Sequence, residues 1–191
     1  MRTLSQGYDA PALQVSQWFN TDQPITLSAL RGRVVVVHAF QMLCPGCVSH
    51  GLPQATRVHT MFPASEVVVL GLHTVFEHHT AMQAHALKAF LHEYRIPFPV
   101  GVDTPATAGS VPLTMQEYAL QGTPSVIVID RNGLVRLNHF GHLEDLQLGA
   151  LLGTLLSQPK AIQSPPTTAQ QPATPEVPRE GCYDSQCAIH T

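Results

Sequence analysis

Cys44 and Cys47 stand two residues apart in "QMLCPGCVSH" (41–50), directly after the apolar run "RVVVVHAF" (33–40). That spacing fits a redox dithiol or half of a zinc site, and the surroundings have to choose. A cysteine at the start of a helix meets the positive end of the helix dipole and free backbone N–H groups, which favour the thiolate, the attacking species in disulfide exchange. Cys44, at the expected helix start after a buried strand, is therefore the candidate nucleophile. Cys47, one turn further on, is the candidate resolving thiol, since two cysteines three apart across a helix start can meet disulfide geometry.

A second pair, Cys182 and Cys187, lies in the terminal "CYDSQCAIHT", with His190 close behind. Zinc needs four ligands, or three and a water. The two pairs together would supply four, but one follows a core-type strand and the other ends a tail, so no metal ligands are assigned. The chain also carries 11 histidines, among them His73, His78, His79, His85 and His92. His78, His85 and His92 are seven apart and could line one helix face, but successive members would be about 10 Å apart along the axis, too far to share an ion. A solvated face is expected.

The elements that must hold this chemistry are readable in part. "RVVVVHAF", "EVVVLGLH" (66–73) and "PSVIVID" (124–130) are short β-branched runs of the kind covered on both faces of a sheet. "LVRLNHF" (134–140) follows the turn signal "RNG", so 124–140 reads as a β-hairpin. A helix over 47–62 is interrupted at Pro53. "TAMQAHALKAFLHEY" (80–94) is an amphipathic helix with Met82, Leu87, Phe90, Leu91 and Tyr94 as its apolar stripe, and "LEDLQLGALLGTLL" (143–156) is the last helix. This order is α/β, a central sheet flanked by helices.

From Ser157 the composition turns to Pro, Gln, Thr and Ala in "SQPKAIQSPPTTAQQPATPEVPREG", which is linker composition with little to bury. The expected division is a domain over 1–156, a disordered Pro-rich linker over 157–181 and a cysteine-containing tail over 182–191. The whole chain has 191 residues, 44% hydrophobic and 12% charged, with a net charge of −3. Without a basic field, nucleic acid is excluded as a partner. The beginning, "MRTLSQGYDAPALQVSQWF", has no apolar stretch for a signal or a membrane span, so the expectation is a cytoplasmic protein with no membrane partner. In a reducing compartment four cysteines point to catalytic, sensing or metal-binding thiols rather than structural staples.

An ordered set of segments carries a resemblance: "DAPAL" (9–13), "ITLSALRGRVVVVHAF" (25–40) leading to "CPGC", "HTVFEHH" (73–79), "IPFPVGVD" (96–103) and "GTPSVIVIDRNGLV" (122–135). Over about residues 7–156 the chain resembles the TlpA-like and ResA-like thiol-disulfide oxidoreductases of the thioredoxin superfamily, redoxins related to AhpC/TSA. "GLHTVFE" (71–77) is similar to the thioredoxin-like branch of DipZ-type proteins. The resemblance implies a thioredoxin-like fold with a mixed sheet, and a cis-proline at Pro124, preceded by Thr123, facing the dithiol. Thr123, Pro124, Pro45 and Gly46 would then form the surface that takes an extended substrate segment. It implies a disulfide-bearing protein or small-molecule disulfide as substrate, a thiol-reducing electron donor, and no cofactor.

Departures from the family pattern are informative. Leu43 stands where an aromatic Trp usually precedes the first cysteine, and Pro-Gly replaces the Gly-Pro of thioredoxin. The helix proline falls one residue late, at Pro53, which predicts a local bulge near Gly51. His38 occupies the place of thioredoxin's buried Asp, either as a core histidine or as the proton acceptor for Cys47. His50, three residues after Cys47 and so expected on the same helix face, replaces a Glu of the ResA-like proteins; it tunes the thiols or is simply a surface histidine. A peroxiredoxin-like peroxidase would need Thr and Pro at the positions of Gln41 and Val37, which leaves peroxidase activity as an alternative. A metal-binding or redox-sensing module using the tail is another. For Cys182 and Cys187 three readings stay open: tolerated thiols, a metal-binding end with His190, or a tethered redox relay to Cys44.

Overall fold

The structure, a computed structural model, describes residues 7–158. The linker from residue 159 on and the tail cysteines Cys182 and Cys187 lie outside the described residues. Seven strands form one sheet in the order β1-β7-β6-β3-β4-β5-β2. They are β1 (Tyr8–Asp9), β2 (Val15–Phe19), β3 (Val34–Phe40), β4 (Val67–His73), β5 (Val100–Asp103), β6 (Ser125–Ile129) and β7 (Leu134–Phe140). β3 pairs parallel with β4 and antiparallel with β6, and every one of its residues is buried. That explains the unbroken valine run: a strand at the centre of a sheet with both faces covered has no solvent side on which to place polar residues.

The two faces hold separate apolar clusters. On one, Val34, Val36 and Phe40 of β3 pack with Leu52, Ala55 and Val58 of α1 (Leu52–Met61), Leu87 and Leu91 of α2 (Ala84–Glu93), and Leu148, Leu152 and Leu155 of α4 (Asp145–Leu156). On the other, Val35, Val37 and Ala39 pack with Leu30 and with Met115 and Tyr118, at and just beyond α3 (Leu113–Glu117). The mixed sheet flanked by helices is the thioredoxin-like fold expected from the sequence.

The helices differ in detail from the periodicity. α2 begins at Ala84, later than the apolar pattern implies, and Tyr94 is exposed rather than on the core stripe, stacked on Phe90 with ring centroids 4.3 Å apart. His78 precedes α2 with a positive φ of 48°, so His78, His85 and His92 share no helix face, although all three are exposed. β1, β2, β5 and α3 do not stand out in the sequence. α3 is tied down by Asp103 at the end of β5, whose buried carboxylate accepts hydrogen bonds from the backbone N–H groups of Thr114 (2.9 Å) and Met115 (3.1 Å) and from the Thr74 hydroxyl (2.9 Å). Burial pushes the Asp103 carboxyl up, against these hydrogen bonds.

Candidate active site

β3 ends at Phe40 and delivers the chain through a turn to Cys44, after which residues 45 and 46 are already helical. Pro45 thus occupies the first helical position, where its missing N–H costs nothing and its fixed φ suits the helix. Cys44 stands at the cap. Its sulfur accepts the Cys47 backbone N–H at 3.2 Å, the bond that a capping side chain makes to the third helical residue. Cys44 and Cys47 are joined as a disulfide with Cα atoms 5.2 Å apart. Cys44 is half-buried, whereas Cys47 is completely buried in the apolar cluster.

The Thr123–Pro124 peptide is cis, and the Thr123 carbonyl oxygen lies 3.5 Å from Cys44 Sγ. Pro124 also faces the helix. A Cβ added at Gly46 would come within 3.3 Å of Pro124 Cδ, and one at Gly51 within 3.4 Å of Pro124 Cβ and 3.9 Å of His38 Nδ1. The cis-proline loop, the helix start and His38 therefore converge around one turn of chain.

That turn is wide. Residues Cys47–Gly51 form a π turn before α1 takes over at Leu52 with Pro53 in its first turn. Pro53 cannot donate a hydrogen bond and its ring would strike the carbonyl four residues back in a continuous α-helix, so the extra residue relieves both conflicts. The widening lies at the bulge expected near Gly51. It also changes where His50 points: Cys47 is buried while His50 is exposed, so the two do not share a face. His50 bonds Ser49 Oγ through Nδ1 (2.7 Å) and meets the His142 ring with centroids 4.8 Å apart.

His38 lies on β3, on the face that carries Phe40 and Cys47, opposite Gly71 of β4 and Val126 of β6. It is buried, neither ring nitrogen has a hydrogen-bond partner, and burial lowers its pKa from 6.5 to about 4. A second histidine shares this condition. His73, at the end of β4 opposite Phe40, is buried against that ring (centroids 5.3 Å), unpartnered at both nitrogens and lowered by burial to about 4. The sequence offers no role for it beyond its place at the end of the apolar strand 66–73. Phe140 was also missed. It pairs with Ser125 at the end of β7, and a Cβ at Gly122 would come within 2.8 Å of its ring, so the phenyl lies on the backbone of the cis-proline loop. Among the described residues no group of three His, Cys, Asp or Glu side chains is placed to hold a metal ion.

Comparison with known proteins agrees with this geometry. Residues 7–138 match the AhpC/TSA family. The crystal structure of a thioredoxin-like superfamily protein superposes with a TM-score of 0.78 at 56% identity, covering 80% of this chain and 99% of that one. A thiol-disulfide isomerase from Corynebacterium glutamicum gives 0.76 at 51% identity, covering 78% and 98%. The DipZ proteins of Mycobacterium bovis and Mycobacterium tuberculosis are 26% identical over 88% of this chain, which spans only 25% of their length. With a cysteine pair bonded across a helix start on a thioredoxin-like sheet, the chain belongs to the AhpC/TSA family.

Proposed function

We propose that the protein reduces disulfides of protein or small-molecule substrates, with Cys44 as nucleophile and Cys47 as resolving thiol. The observation that carries the assignment is the asymmetry of the pair: the Cys44 sulfur is reachable and receives a backbone N–H, while Cys47 is buried beneath it. In the reduced enzyme the Cys44 thiolate attacks one sulfur of the substrate disulfide. The S–S bond breaks, the other substrate sulfur leaves as a thiolate and takes a proton, and Cys44 holds the mixed disulfide. Cys47 then gives up its proton and attacks Cys44 Sγ, releasing the second substrate thiolate and forming the Cys44–Cys47 disulfide. A donor dithiol must return two electrons to restart the cycle, and in a cytoplasmic setting the reductive direction is the default.

Substrate recognition falls to Thr123, Pro124, Pro45 and Gly46, since an extended segment can pair with exposed backbone beside the cis-proline. His38 serves the second step. Its neutral ring offers a lone pair to the Cys47 S–H during attack, but a base held near pKa 4 does not keep the proton afterwards. The similarity to a protein named as a thiol-disulfide isomerase supports disulfide exchange as the activity.

The roles are separable by substitution. Cys44→Ser abolishes exchange, whereas Cys47→Ser, with Cys182 and Cys187 also replaced by Ser, accumulates substrate as a stable mixed disulfide. In the reduced protein iodoacetamide alkylates Cys44 first at neutral pH; faster alkylation of Cys47 reverses the assignment.

A further inference from the structure

Two exposed apolar side chains flank the dithiol. Leu43, immediately before Cys44, is 57% exposed, and Phe140 is 50% exposed. Phe140 is not loose: its ring rests on Gly122, and the next residue, Gly141, donates its N–H to the Pro124 carbonyl at 2.8 Å. With Pro45, Thr123 and Pro124 they form an uncharged rim around Cys44. An apolar rim at a reactive sulfur asks for an occupant that brings an apolar side chain next to a cysteine.

The chain carries such a segment. In "GCYDSQCAIHT" Tyr183 follows Cys182 directly, and Ala188 and Ile189 follow Cys187. The point from which this segment departs is fixed by the fold. Arg131, in the turn between β6 and β7, donates from Nη1 to the carbonyls of Leu156 (3.1 Å) and Gln158 (2.6 Å). Because β6 runs antiparallel to β3, that turn lies at the start of β3, and Cys44 lies beyond its end. The strand separating them is about 23 Å long. The chain from Gln158 to Cys182, about 24 residues, has a contour of about 80 Å. Cys182 is within reach of Cys44 even on a path around the domain.

We propose that residues 182–191 are the domain's own redox partner, with Tyr183 seated on the Leu43–Phe140 rim while Cys182 exchanges with Cys44. The inference rests on Cys44 being the exchanging thiol. The Cys182 thiolate attacks Cys44 Sγ, the Cys44–Cys47 bond breaks, and Cys47 leaves as a thiolate and is protonated. Cys187 then loses its proton and attacks Cys182 Sγ, and Cys44 leaves as a thiolate. Two electrons have moved from the terminal dithiol to the core, which is reduced, while Cys182 and Cys187 become a disulfide. Tethering sets the effective concentration of Cys182 at Cys44 on the order of millimolar, so the segment competes with most free thiols for the oxidised core.

The full-length Cys47→Ser/Cys187→Ser variant leaves only Cys44 and Cys182, and equilibrating it in a glutathione redox buffer, alkylating and mapping peptides by mass tests the relay. The expected product is an intramolecular Cys44–Cys182 disulfide in monomeric protein, unchanged on dilution, with an effective concentration on the order of millimolar. Phe140→Ser or Tyr183→Ser in that background lowers the linked fraction several-fold; an unchanged fraction removes the docking. Dimers that disappear on dilution, or Cys182 joined only to glutathione while Cys44 forms its own glutathione adduct, overturn the relay and leave the Cys44 assignment intact. A Cys44 that forms no adduct at all overturns the assignment itself. One zinc per wild-type chain, lost in Cys182→Ser, makes the segment a metal-binding end instead.

Discussion

His38 shows how one side chain's surroundings decide what it can do. An imidazole buried against the dithiol helix with both nitrogens unpartnered pays a desolvation cost, and in the disulfide-bonded state no hydrogen bond offsets it. A Cys47 thiol, present only after reduction or in the mixed disulfide, would give the ring a partner, so the benefit of His38 belongs to the resolving step. His38→Ala is therefore expected to slow release from the mixed disulfide by about 10-fold to 100-fold, at or below the low end of acid–base contributions, while the Cys44 thiol pKa changes little. Stopped-flow measurement of release from a preformed Cys44 adduct, across pH 6 to 8, checks this; an unaltered rate makes His38 a packing residue. Cys44 and Cys47 stand out as two cysteines two residues apart, whereas Thr123 and Pro124 could be picked out only through the family resemblance, because Gly-Thr-Pro also occurs in ordinary turns. Phe140 and His73 do not stand out. An aromatic ending a strand and a histidine following an apolar run have ordinary sequence surroundings, and only the sheet register brings one onto Gly122 and the other onto Phe40.

The elements that could be read are those whose own residues enforce them. β3, β4 and β6 are apolar runs and β7 is announced by the RNG turn before it, and the sheet uses them as such. β5 is only four residues long and includes Gly101, where a Cβ would come within 2.8 Å of Val15 Cγ2 on β2, so that Val15 would have to shift to admit it. Its strand character comes from its neighbours. α3 has five residues and depends on Asp103 to receive its free N–H groups, a partnership across the fold that no local pattern reveals. The π turn lies between these cases. Pro53 announces a break, but no local pattern shows that Pro124 packs against the wide turn that results. Gly51 tests that packing. Its backbone is right-handed helical (φ −60°, ψ −56°), and the nearest atoms to an added Cβ, 3.4 Å and 3.9 Å away, are at ordinary contact distance. Gly51→Ala should thus raise stability by about 0.4–1 kcal/mol through the unfolded chain's lost freedom, with disulfide exchange retained. Denaturant melts measure the gain, and a loss of stability would mean the π turn needs glycine for a reason other than space.

Across the whole molecule, two neutral histidines in one apolar layer tie stability to pH. His38 and His73 are each lowered from 6.5 to about 4 by burial. Between these values the unfolded chain binds a proton at each histidine and the folded chain does not, so stability falls as pH drops from about 6.5 toward 4 and is unaffected by these groups above neutrality. A shift of this size corresponds to a loss on the order of 3 kcal/mol per histidine by the acid end of the window. Asp103 works in the opposite sense, because its raised pKa lets the folded state take up a proton before the unfolded one. A comparison of variants separates these opposing contributions. In His73→Phe the ring that lies tilted against Phe40 is replaced by one of similar shape that cannot titrate, while Asp103, His38 and the surface carboxylates remain in both proteins and largely cancel. Urea unfolding at pH 7 and again at pH 4.5 should show the variant losing less stability than the parent, by on the order of 2 kcal/mol. Equal losses in the two proteins would mean that His73 is hydrated or protonated within the fold, and the dry layer beneath the dithiol would have to be redrawn.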